Sequence, residues 1–96
     1  MMVVVTYDVS LDDAAGPKRL RKVAKACENI GQRVQKSVFE CVVEPDQFIK
    51  FRAQLLKIIN NEKDSLRIYL LGKNWERRVE HYGVALSYEQ EGPIIL

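Results

Sequence analysis

Asp8 is the side chain whose type and position most invite chemistry. It interrupts the β-branched run MVVVTYDV near its C-terminal end. Folds that alternate strands and helices tend to build their sites at such strand ends, and a carboxylate there is the oxygen donor that a hard cation such as magnesium requires. A turn cap acting through Ser10 is the simpler account of Asp8, because one carboxylate per chain makes a poor metal cage. A two-fold axis passing close by would bring a second copy from an identical chain. Asp12 and Asp13 follow in a stretch of turn composition, where solvation alone explains them.

The second candidate is the distribution of charge. Residues 17–36 carry seven basic side chains against the single acid Glu28, so the remainder of a chain with formal net charge +2 is net acidic. Clustered Lys and Arg on one helix and the strand after it give the footprint of a phosphate-backbone binder; a solvated helix face is the alternative. Arg19, Arg21 and Arg33 matter most, since a planar guanidinium grips a phosphate through two hydrogen bonds. Trp75, Arg77, Arg78, His81 and Tyr82 form a mixed aromatic and basic group able to stack on bases or on a partner, although a satellite core contact is the better account of Trp75. His81 is the only histidine, which excludes triads built on a histidine base together with a separate histidine metal set. No glycine loop of the phosphate-binding kind is present. Cys27 and Cys41 match no metal-ligand spacing and read as reduced core thiols.

These residues must be positioned by a small scaffold. At 96 residues and 11.1 kDa, with 47% hydrophobic and 29% charged side chains, the chain supports one core and one domain. Met2–Val9 reads as a central strand covered on both faces. Pro17 opens a helix in which Leu20, Val23, Ala24, Cys27 and Ile30 form the buried stripe, and Gly31 is expected to stop it in a left-handed conformation. The run RVQKSVFECVV fits either one bent strand or a hairpin turning near Lys36 and Ser37. Pro45 opens a second helix with Phe48, Phe51, Leu55 and Ile58 or Ile59 inward. Ser65–Leu71 is a further strand, Arg77–Tyr82 a short one and Gly83 a turn. This order is a split βαβ pattern and predicts a ferredoxin-like α/β sandwich with its helices on one face. The other face is then bare and best buried by a second copy. No signal peptide or membrane span is evident at the N-terminus, so a cytoplasmic chain without a membrane partner is expected.

The segments VVVTYDV, KRLRKVAKACENIGQRVQKSVFEC, DSLRIYLLG and EGPIIL together resemble the small CRISPR-associated endoribonuclease family, the smaller of the two near-universal proteins of spacer acquisition. The resemblance spans essentially the whole chain. It implies a βαββαβ homodimer with an extra C-terminal strand, in which residues 84–96, through Ile94–Leu96, add to the partner's sheet. It also implies that RVQKSVFECVV divides into two strands. Members are described as nucleases dependent on magnesium, or alternatively manganese, that act on single-stranded RNA or double-stranded DNA. They are also described as the central dimer that bridges pairs of CRISPR integrase subunits. Tyr7 and Asp8 match the catalytic strand end, with Asp8 as the metal ligand. Arg19, Arg21, Arg33 and Phe39 match positions linked to activity or substrate contact, and Ser37 lies in the same motif. Two other functions are compatible with these residues: a non-catalytic DNA-binding adaptor for the integrase, and a toxin-like RNase acting on messages.

Overall fold

Strand β1 (Met2–Asp8) is the middle of the sheet, and its neighbours explain why its residues alternate as they do. The computed structural model describes residues 1–72 and 79–84. Around β1 lie α1 (Gly16–Ile30), β2 (Gly31–Gln35), β3 (Val38–Val42), α2 (Pro45–Ile58), β4 (Ser65–Leu71) and β5 (Val79–Gly83). The strands form one sheet in the order β2-β3-β1-β4-β5, with every neighbouring pair antiparallel. The fold is the ferredoxin-like α+β sandwich, with β5 as an added edge strand.

Register fixes the two faces. Val3 pairs with Cys41 and Leu70, Val5 with Phe39 and Ile68, and Tyr7 with Leu66, so these side chains share one face. They meet Val23, Ala26 and Cys27 of α1 and Phe48, Phe51 and Leu55 of α2 in a single core. Burial of each large aliphatic or aromatic side chain there contributes about 1.5–3 kcal/mol. The helices thus cover one face only. Val4, Thr6 and Asp8 point the other way, and β1 alternates between buried and more open positions rather than being enclosed on both sides as its continuous apolar run suggested. Val34, Val42, Leu71 and Val79 stand among the exposed large apolar residues.

The ambiguous run resolves into a hairpin whose turn is Lys36 and Ser37, with a register shift between Arg33 and Gln35. Gly31 ends α1 differently from expectation. It is extended, with φ −144°, and passes directly into β2. Its need is for space: a Cβ there would collide with Cys41 Sγ and the Glu40 carbonyl. α2 begins with Pro45, the Glu44 N–H donating to Gln47 Oε1 at 3.2 Å, and Asp46 and Lys57 sit at the ends that suit the helix dipole. The expected strand over Arg77–Tyr82 corresponds to β5, and Gly83 is its last residue, in the left-handed region at φ 89°. Trp75, Arg77, Arg78 and Ile94–Leu96, with the rest of the C-terminal segment beyond Val84, lie outside the described residues. No described helix is long and apolar enough to cross a membrane.

Candidate nucleic-acid and metal site

Asp8 is exposed at the C-terminal end of β1, opposite Ser65 of β4. Its carboxylate makes no hydrogen bond or ion pair with any described residue. The turn-cap reading therefore gives way to a different carboxylate. The Ser10 N–H donates to Asp64 Oδ1 at 3.0 Å, and Ser10 Oγ accepts from the Asp12 N–H at 3.3 Å. Asp64 holds the turn after β1, and Asp8 is left free to meet a ligand.

Asp64 was missed by sequence reasoning and is fully buried. Besides Ser10 it accepts the Asn60 N–H at 2.8 Å, Arg19 Nε at 2.8 Å and Arg19 Nη2 at 3.3 Å. Arg19 also donates from Nη1 to Asp13 at 3.2 Å and from Nη2 to the Ser10 carbonyl at 3.3 Å. Lys63 Nζ closes the network on Asp13 at 2.6 Å. Burial by itself would push the Asp64 carboxyl up, but the Arg19 guanidinium and the two backbone N–H groups outweigh it and hold its pKa below the ordinary value. Asp13 is lowered to about 2, chiefly by its hydrogen bond from Lys63 and further by Arg19. The network ties the loop after β1 to α1 and to the turn before β4. It is the scaffold on which Asp8 is presented.

Arg19, expected as a phosphate grip, is held within this network. Its side chain is 13% exposed and its donors already face two carboxylates and a carbonyl. Arg21 is exposed on α1 and makes no ion pair with a described residue. Arg33 is 44% exposed, its guanidinium 5.0 Å from the Phe39 ring centroid and 3.7 Å from Glu28. Phe39 itself has no exposed surface. Its ring gives Arg33 a platform.

Tyr7 is likewise a supporting residue. It is 5% exposed, stacks on Phe39 with ring centroids 6.1 Å apart, and donates from its hydroxyl to the Lys36 carbonyl at 3.4 Å. Burial pushes the phenol's pKa up, against the opposing pull of Arg33, which disfavours a role as a phenolate base. Ser37 contributes through its backbone, where its carbonyl accepts the Tyr7 N–H at 3.2 Å. Tyr7 and Ser37 thus pin the β2–β3 turn against the strand that ends in Asp8. The predicted residues fall on two sides of the sheet: Asp8 lies on the face away from the helices, whereas Tyr7, Phe39 and Arg33 share the helix-side register and Arg21 is exposed on α1.

The sheet face that Asp8 shares is mixed in character. Val4, Val34, Val38 and Tyr69, with Thr6, Gln35 and Glu40, line a hollow of about 260 Å³ on that side. Among the described residues no group of three His, Cys, Asp or Glu side chains gathers as a metal cage.

The family model described as CRISPR associated protein Cas2 matches residues 1–79. The chain belongs to the Cas2 family. It is 54% identical over 96 residues to the CRISPR-associated endoribonuclease Cas2 of Nitratidesulfovibrio vulgaris, covering 100% of this chain and 94% of that protein. It is 54% identical over 95 residues to the CRISPR-associated endonuclease Cas2 of Halalkalibacterium halodurans, covering 99% of each. The crystal structure of Streptococcus pyogenes Cas2 at pH 6.5 superposes with a TM-score of 0.69 at 59% identity, covering 86% of this chain and 100% of that one. A hypothetical protein of Thermus thermophilus shares the fold with a TM-score of 0.64 at 31% identity, covering 74% of this chain and 80% of its own. The resemblance read from the YD, RVQKSVFE and SLRIY segments is thereby established as Cas2 membership.

Proposed function

We propose that this Cas2 chain is a metal-dependent endonuclease of CRISPR adaptation, hydrolysing phosphodiester bonds of single-stranded RNA or double-stranded DNA as a homodimer. The observation that carries the reading is Asp8: an unengaged carboxylate at the end of the central strand, on the bare face, braced from behind by a buried ion-pair network. A second copy seated on that face would cover its exposed valines and bring two Asp8 side chains together.

Magnesium commonly binds through one or two carboxylates, with waters and substrate phosphate completing its shell. A pair of Asp8 carboxylates suits that mode, and one chain alone does not supply it. When bound, the metal would polarise the phosphate and favour water as nucleophile. Asp8 would hold the cation, while Arg33 on its Phe39 platform and Arg21 on α1 would supply positive charge to the polymer backbone. Arg19, Asp64, Tyr7 and Ser37 keep the strand end and the turn in place. In the adaptation complex the same basic surface would hold incoming DNA for the integrase, in the cytoplasm.

A second reading has its own support. Because Arg21 and Arg33 are exposed and could grip a phosphate backbone with no metal at all, the chain also suits a non-catalytic adaptor that holds a duplex for a separate integrase. The two separate on Asp8→Asn. Assayed beside the parent on single-stranded RNA and duplex DNA across a magnesium and pH series, the nuclease reading expects cleavage to vanish while binding persists. Undiminished cleavage in Asp8→Asn refutes it, and a parent that binds duplex but never cleaves favours the adaptor.

A further inference from the structure

On the helix layer, away from the sheet face that carries Asp8, α1 and α2 enclose a groove of about 350 Å³. Lys22, Lys25 and Asn29 of α1 and Gln54 and Lys57 of α2 form its exposed rim. Its floor is apolar, made by the buried Ala26 and the half-buried Ile58. Positions 22, 25, 26 and 29 follow the three-and-four spacing of one helix face, as do 54, 57 and 58. The α1 side therefore runs about two turns, or roughly 10 Å. No acidic side chain lines the groove.

The charge there is unbalanced by design of the surface around it. Arg19, Arg33, Arg52 and Lys63 are each matched with a carboxylate. Lys22, Lys25 and Lys57 form no ion pair among the described residues. Their methylene stems can wall an apolar slot while the ammonium groups stay in water.

We propose that this groove is a docking site for an acidic amphipathic segment of a partner protein, a peptide helix whose apolar anchors seat over Ala26 and Ile58 and whose carboxylates reach the three lysines. A helix in a groove is read through anchors at i, i+3 or i+4, and i+7, and the two-turn length of the α1 wall suits that repeat. A nucleic-acid backbone fits less well. It presents phosphate and sugar on a convex surface and has no apolar group to fill a concave floor. Peptide docking here leaves the opposite sheet face free for a second copy and is independent of whether the chain cleaves phosphodiesters.

The test is a nuclear magnetic resonance titration of the full-length chain with three probes. The first is a 15-residue (about four-turn) peptide with leucines at i, i+3 and i+7 and glutamates flanking them. The second has the same leucines with lysines replacing the glutamates, and the third is a short DNA duplex. The expected result is saturable binding of the glutamate peptide below about 1 mM, with shifts confined to the amides of residues 22–29 and 54–58. Lys22→Glu, Lys25→Glu and Lys57→Glu should each weaken it about two- to fivefold and, combined, should confer binding of the lysine peptide, which the parent does not bind. These positions are exposed, and circular dichroism checks that each variant is folded. Failure of the glutamate peptide to shift these amides overturns the proposal, as does duplex DNA shifting them while the glutamate peptide does not. The latter outcome would make the groove a phosphate-tracking surface instead.

Discussion

Replacing Asp64 by Asn tests the scaffold beneath the strand end. The carboxylate is fully buried and accepts from Ser10, Asn60 and two nitrogens of Arg19. The amide keeps the volume but removes the charge and turns an NH₂ toward groups that are themselves donors. Breaking a buried pair of this kind costs about 3–5 kcal/mol. Because Arg19 retains Asp13, the lower end, about 3 kcal/mol, is expected. For a domain of this size that corresponds to a fall in Tm of about 12–24 °C, a large share of a total stability of about 5–15 kcal/mol. The exposed Arg33–Glu28 pair serves as control, and Glu28→Gln should cost no more than about 1 kcal/mol. Since the Asp64 pKa is depressed in the folded state, its contribution is complete above the unfolded value of about 3.9 and is lost as pH falls through the folded one. Asp13, lowered to about 2, adds to the same acid limb. Urea unfolding of parent and Asp64→Asn between neutral pH and pH 3 measures both effects, and the variant should show the shallower decline toward acid. A loss below about 1 kcal/mol at neutral pH, or an unchanged acid slope, would refute the reasoning.

Two further predictions concern the platform and the thiols. Arg33→Ala should scarcely alter stability yet weaken nucleic-acid binding, and Phe39→Leu should weaken binding through the same contact, so that titrations of the double variant show less than the summed loss; full additivity would show that Phe39 does not act through Arg33. Burial drives the pKa of Cys27 up to about 12 and that of Cys41 to about 11, so a thiol-specific dye at pH 8 should label neither until the chain is unfolded, and rapid native labelling would contradict the core placement.

How much could be read from the chain alone follows the range of each interaction. The stripes of α1 and α2 and the strand Ser65–Leu71 emerge from local periodicity, and the structure reproduces them. The residues alone left the turn at Lys36 and Ser37 as one of two readings, because the flanking residues have uniform strand character and neither Gly nor Pro marks the reversal. Gly31 looked like a helix stop but is required by the closeness of Cys41 across the β2–β3 pair, a contact that no helix pattern contains. Phe39 and Arg33 face each other for the same reason. Asp64 was the largest omission: its partners Arg19 and Ser10 lie 45 and 54 residues away, and a carboxylate in a polar turn gives no local hint that it will be buried. Asp8 was legible because a lone acid closing an apolar strand is conspicuous, though the choice between cap and ligand needed Asp64 to be seen in the capping position.

The claim on which the function rests is that two chains pool their Asp8 carboxylates around a cation. Isothermal titration of the full chain with magnesium, beside sedimentation of the same sample, tests it most directly. The account predicts one magnesium ion for every two chains in a dimer, and no such binding in Asp8→Asn. One ion per chain, or uptake that survives the substitution, would contradict it.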